Sequence, residues 1–229
     1  MADFFSKVTR RPRSKLERVL EILEPSCPVE ARPRQGLLNA AVRFYLVVDG
    51  PAIAVDAEKI EALVRTGELE QASFEGLAEQ ERATRAFEGL KALSKLWLDG
   101  LEKLCKNDVE EAKKRLSMLP RFSPELADWV LLATRHANSV APSKGALRMA
   151  ARLGYPGSNY AAIARALDAE IPEGDTSDVA WRAHQVLRQH AEKTCHRVAP
   201  GCDRCGVKSS CSYRGANADP AGRLPNAGA

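Results

Sequence analysis

Apolar residues recur at helical spacing along nearly the whole chain. Between Lys15 and Leu23 they fall at Leu16, Val19, Leu20 and Leu23, three and four apart, which sets them on one face of a helix. Residues 36–48 form a far more continuous apolar run, as expected of a helix buried on most sides. Asp56 is placed to cap a helix that runs to about Arg65 and stops near Gly67. Amphipathic segments are predicted at residues 83–93 and 96–105. Ser123-Pro124-Glu125 combines a serine N-cap, a proline suited to the first helical position and an acid in the first turn. That helix should pass Trp129 and Leu132 toward Arg135, with further helices at residues 143–153, 159–169 and 178–193. Strand-like alternation is nearly absent and no internal repeat is evident, so the pattern predicts an all-α fold. Residues 215–229 are rich in Gly, Ala, Pro and Asn and are expected to form a disordered tail.

Composition adds limits. The 229 residues allow one large core or two small ones, and 45% hydrophobic with 28% charged residues is ordinary for a globular domain. No apolar run approaches the roughly 20 residues that span a bilayer, so no membrane protein is expected. Residues 1–13 are basic but lack an apolar stretch, so no secretory signal is read there. The net charge of +4 is unevenly spread: residues 1–20 hold six basic side chains against two acidic, and residues 182–214 hold seven against two. Residues 56–111 reverse the balance, with fourteen acidic and eight basic. Basic ends around an acidic middle suggest a polyanion-binding face built from both termini, although the same charges would also serve as solubilising surface.

The cysteines change the picture most. Cys195, Cys202, Cys205 and Cys211 follow the spacing C-x6-C-x2-C-x5-C. Without an export signal, clustered thiols suggest a reducing compartment and metal binding rather than disulfides. Four thiolates suit either a tetrahedral zinc or a [4Fe–4S] cubane, but zinc sites usually pair two short knuckles and only Cys202–Cys205 supplies one. Cys105 sits in the apolar pattern of its helix and Cys27 lies between Ser26 and Pro28 at a helix end, and both read as structural thiols.

Around this spacing, Trp181, His184 and His190 precede Cys195, His196-Arg197 and Pro200 follow it, and Tyr213 comes after the last cysteine. The whole segment resembles the iron–sulfur loop of endonuclease III-like DNA glycosylases. Upstream, Leu119-Pro120, Ala127, Val130-Leu131 and Arg148 through Arg152-Leu153-Gly154 keep the frame of that family's helix-hairpin-helix and following helix. Leu37-Leu38 to Asp49 is similar to its buried helix closing in an aspartate. The resemblance implies a two-lobed, all-α fold. One lobe would be a helical barrel at residues 28–137, with a degenerate helix-hairpin-helix. The other would be a cluster lobe at 138–214, against which residues 1–27 pack. It also implies a [4Fe–4S] cluster on the four cysteines, double-stranded DNA as partner, a monomer, and a cytoplasmic, nucleoid-associated location.

The departures fall on the chemistry. Hairpin glycines that approach a DNA phosphate are replaced by Arg121 and Ser123. The family's nucleophilic lysine is replaced by Glu125, and its aspartate by Ser143 with Lys144 adjacent. Candidate catalytic residues are therefore Glu125, Asp128, Ser143 and Lys144. Glu125 and Asp128 lie three apart on one helix face, but nothing independent in the sequence places them in a pocket, so a helix-start carboxylate and a solvated one is the favoured reading of the two. His136 at a helix end is a further acid–base candidate. Leu93 matches the position of a duplex-inserting wedge, and Leu46 a glutamine that fills the gap left by an extruded base. DNA contacts are expected from Arg121, Ser123, His196, Arg197, Arg204, Lys208 and Leu93. The expected function is a DNA glycosylase with a non-standard active site and without conventional abasic-site lyase activity. The alternatives are a non-catalytic DNA-binding iron–sulfur protein and, in another class, a zinc-stabilised protein-interaction module.

Overall fold

The computed structural model describes residues 12–48, 56–74, 80–98, 100–172 and 177–213. The basic residues before Pro12, Asp49, and the segment 215–229 lie outside these. Ten α-helices carry the described residues, and no strand occurs among them.

Local sequence explains most of the helix ends. α1 (Lys15–Leu23) opens with a reciprocal cap in which Ser14 accepts from the Glu17 amide while Glu17 accepts from the Ser14 amide; Leu16, Val19, Leu20 and Leu23 are all buried. α2 (Leu37–Arg43) continues into a π-helical segment, Phe44–Val48, so the long apolar run is one helix with a widened last stretch. α3 (Ala57–Thr66) is capped by Asp56 and closed by Gly67 in the left-handed conformation, φ 77°. α7 (Pro124–Ala133) starts at Ser123, whose hydroxyl accepts from the Leu126 amide. α8 (Lys144–Arg152) and α9 (Tyr160–Asp168) are capped in the same way by Ser143 and Asn159. α10 (Ser177–Lys193) leads into the cysteine loop.

Two expectations in the middle of the chain are corrected. Residues 83–93 and 96–105 are not two segments joined near Ser94. α4 (Gln80–Leu98) runs straight through, and the break falls at Gly100, φ 92°, before α5 (Leu101–Asn107). No glycine or proline stands at 94–95 to end a helix, and the Ser94 hydroxyl bonds back to the Lys91 carbonyl. α6 (Val109–Ser117), capped by Asp108, has no counterpart in the apolar pattern because only Ala112 and Leu116 of its length are buried.

Helices α2, α3 and α4 pack together, α5 packs on α4 and α6, and α6 packs on α7; α1, α8 and α10 form a second group with α9 on α8. α7 touches both α2 and α10, and its residues 126–133 are all buried, so one continuous core passes through it. Removing Leu131 or Leu132 to alanine there would cost about 2–5 kcal/mol. α4 comes close enough to the π-segment that a Cβ on Gly89 would sit 2.1 Å from the Tyr45 hydroxyl oxygen. No helix among the described residues is long and apolar enough to cross a membrane.

Candidate metal centre

The last turn of α10 fixes the first cysteine, since the amides of Thr194 and Cys195 both donate to the His190 carbonyl. The chain then doubles back through the Gly201 amide on the Thr194 carbonyl at 2.8 Å. Two short 3-10 turns, Cys202–Arg204 and Lys208–Ser210, hold the other three cysteines at their ends. All four thiols line one cavity of about 480 Å³ and none is in a disulfide. Among the described residues no three His, Cys, Asp or Glu side chains converge closely enough to hold a single ion. Tetrahedral zinc, with Zn–S near 2.3 Å, needs thiolates about 3.8 Å apart. A cubane places its own iron and sulfide between the thiolates and keeps them wider. The four cysteines line this one cavity, and thiols of this number are the donor set that either group takes.

The surroundings complete the site. Arg152 is only 8% exposed. Its guanidinium donates to Cys195 Sγ at 3.2 Å, to the His196 carbonyl at 2.8 Å and to the Arg197 carbonyl at 3.3 Å, and lies over the Tyr213 ring. Arg148, one turn earlier, donates to the Cys195 carbonyl at 2.8 Å. His190 Nε2 stands 3.4 Å from Cys205 Sγ. Burial, followed by the neighbouring thiols, pushes the Cys205 and Cys211 thiols up. Bound metal would reverse that penalty by stabilising thiolate.

The candidate nucleic-acid contacts divide. Arg197, Arg204 and Lys208 are exposed on the cysteine loop, with Arg204 bonding to the Lys193 carbonyl and Lys208 paired to Asp203 at 3.2 Å. His196 is half-buried. Arg121 is exposed on the turn between α6 and α7, in the left-handed conformation (φ 63°), and its side chain meets Glu88 at 2.6 Å. The Ser123 hydroxyl is committed to capping α7. Leu93 is a correction: at 0% exposure it belongs to the core on α4 and cannot insert into a duplex. Leu46 is buried as well.

The catalytic candidates do not assemble into an open site. Glu125 is half-buried at the start of α7, the Ser143 hydroxyl caps α8, and Lys144 is exposed. Asp128 is not a solvated carboxylate; it is 2% exposed, meets Lys113 Nζ at 2.5 Å and accepts from the Tyr160 hydroxyl at 2.8 Å. Burial, then Asp128, drives the Tyr160 hydroxyl strongly up, with Glu125 and Asp168 adding to it. Asp168 accepts from the Val140 amide, and burial raises its carboxyl to about 6. Lys113, Tyr160 and Asp168 carry no sequence signal of this association, because Lys113 lies on α6 and the other two on α9, far along the chain from Asp128 on α7. Burial lowers His136, and Lys106 adds to the shift.

No protein-family model matches the chain, and no curated protein matches it.

His184, part of the motif before the cysteines, proves to be structural. Its Nε2 accepts from Trp129 Nε1 at 3.1 Å, which leaves Nδ1 as the donor to the Ala141 carbonyl at 2.7 Å. Burial lowers it to about 4, so it stays neutral and ties α10 to α7 and to the loop before α8.

Proposed function

We propose that this chain is a DNA-binding iron–sulfur protein, a divergent relative of the endonuclease III-like superfamily. In this reading Cys195, Cys202, Cys205 and Cys211 hold a [4Fe–4S] cluster. The observation that carries it is the single cavity lined by all four cysteines and walled by Arg152, with exposed Arg197, Arg204 and Lys208 on the same loop. A cluster there would lock the loop and hold those cations at fixed spacing for phosphates. The turn between α6 and α7 supports the reading independently. Arg121 adopts a left-handed backbone at a position where the resemblance has glycine, so the hairpin conformation is kept without the residue that favours it.

Base-release chemistry is left with little to use. Asp128 is sealed against Lys113 and Tyr160, and Ser143 is a cap. Glu125 is the one carboxylate of the candidate set outside that ion pair. This favours the non-catalytic reading over the glycosylase, with Glu125→Gln the variant to examine if any lesion is processed.

The test is composition together with binding. Protein purified without oxygen should be yellow-brown and contain iron and acid-labile sulfide in about four-to-four ratio per chain. It should retain duplex oligonucleotide at low salt. Alanine at any of the four cysteines should give colourless protein, while alanine at Cys27 or Cys105 should leave the colour. Stoichiometric zinc without sulfide would instead favour a zinc-stabilised interaction module. Absence of duplex binding by fully loaded protein would remove the DNA reading.

A further inference from the structure

Arg152 holds both ends of the cysteine loop. Its guanidinium reaches the first cysteine through Sγ and the next two residues through the carbonyls of His196 and Arg197. Its own carbonyl accepts from the Ser212 amide at 2.9 Å, directly after the last cysteine, with Cys211 Sγ 3.3 Å away. One residue of α8 thus clasps the beginning and the end of a seventeen-residue segment, 195–211. Tyr213 covers the other face of the guanidinium at 4.2 Å, and the residue is nearly excluded from solvent. Arg148 braces the same place from one turn away, through the carbonyls of Cys195 and Ala191.

From this geometry we infer that Arg152 is a positioning residue that both assembles the cluster loop and sets the electron affinity of its occupant; the inference rests on the iron–sulfur reading above. Two physical effects follow from one side chain. A planar fork that satisfies three acceptors fixes the loop before the cluster enters, because a flexible seventeen-residue segment otherwise loses conformational entropy on loading. A cation donating to a ligating sulfur also lowers the energy of added negative charge. A cubane with four thiolates is already anionic and becomes one unit more negative on reduction, so a buried guanidinium stabilises the reduced state more than the oxidised one. The same fork holds the backbone of Arg197, so the proposed phosphate contact and the first cluster ligand are held by one group.

The experiment compares Arg152→Met, Arg152→Lys and wild type, all purified anaerobically. Methionine keeps the stem without charge or fork, and lysine keeps the charge without the fork. The readouts are iron and sulfide per chain, the rate of bleaching in air and the reduction potential followed by visible spectra and electron spin resonance. Arg152→Met should retain several-fold less iron, bleach faster, and titrate at a more negative potential. Arg152→Lys should recover much of the potential but not the loading, which separates the two effects. Should the methionine variant be insoluble, the lysine variant alone still decides, through loading below and potential near that of wild type. Wild-type iron content and potential in both variants would overturn the inference while leaving the cluster itself in place. Wild-type protein lacking iron and sulfide would instead overturn the underlying reading.

Discussion

Tyr45, in the π-helical end of α2, donates its hydroxyl hydrogen to the carbonyl of Arg121 at 3.0 Å. That bond joins residues 76 positions apart and anchors a turn whose backbone is left-handed at a non-glycine residue. A left-handed conformation costs a residue with a Cβ about 1 kcal/mol. Arg121→Gly should therefore be more stable than Arg121→Ala by about that amount, since both remove the ion pair with Glu88 and only glycine relieves the backbone. Urea unfolding of the two variants measures it. An alanine variant equal to or better than glycine would mean the turn is not left-handed there.

Asp128 and Lys113 form a pair with one partner buried and the other about one-third exposed, 35%. Asp128→Asn leaves the ammonium facing an amide and should cost about 2–3 kcal/mol, at the low end for a broken buried pair. For a domain of this size that lowers Tm by roughly 4–12 °C. The double variant Lys113→Met, Asp128→Leu should recover part of the loss, because neither charge is then stranded. A single variant as stable as wild type would argue that the pair is solvent-screened.

Asp168 gives a pH dependence of defined sign. Burial raises its carboxyl from 3.8 to about 6, so the folded state holds this proton more tightly than the unfolded one. Its contribution is fully present below pH 4 and is lost as pH rises through 6. Asp168→Asn keeps a neutral acceptor for the Val140 amide and should flatten this part of the profile. Urea midpoints of the two proteins between pH 4.5 and 7.5 should therefore diverge in favour of the variant as pH rises. Parallel curves would remove Asp168 as the source.

On the cysteine loop, Lys208 is 62% exposed and paired with Asp203, which is fully exposed. A surface pair of this kind is weak and yields to a phosphate. Asp203→Ala should therefore tighten duplex binding at low salt, and Arg197→Ala should loosen it for all sequences alike. The slope of log affinity against log salt should become shallower by about one for each phosphate no longer neutralised. An unchanged slope in Arg197→Ala would place the interface elsewhere.

Lysine-dependent strand cleavage is not expected. An imine needs a deprotonated amine at the opened sugar, and Glu125 occupies the position where the resemblance has lysine. Borohydride should trap no complex on abasic DNA. Trapping that vanishes in Lys144→Ala would reveal a displaced nucleophile on the exposed start of α8.

Where helices begin is legible because caps are local: Ser14, Asp56, Ser123, Ser143 and Asn159 each bond an amide two or three residues on. Periodicity locates α1 and the helices from α7 to α10 for the same reason. It misses α6, whose buried positions are only Ala112 and Leu116 among charges. The cysteine spacing is legible too, but the role of Arg152 is not. Its partners lie 43–45 residues away, beyond any local pattern. The burial of Asp128 is hidden on the same ground, since Tyr160 is 32 residues distant and nothing near Asp128 in the sequence marks it as enclosed.

The pairing of the first helix with the last imposes an order on synthesis. α1 lies against α10, bonded by Arg182 to Glu24 across 158 residues. At 5–20 residues per second a ribosome needs roughly 8 to 30 s to deliver that partner. Throughout that interval Leu16, Val19, Leu20 and Leu23 face solvent on a nascent chain, a stretch that holding chaperones would be expected to cover until α10 emerges.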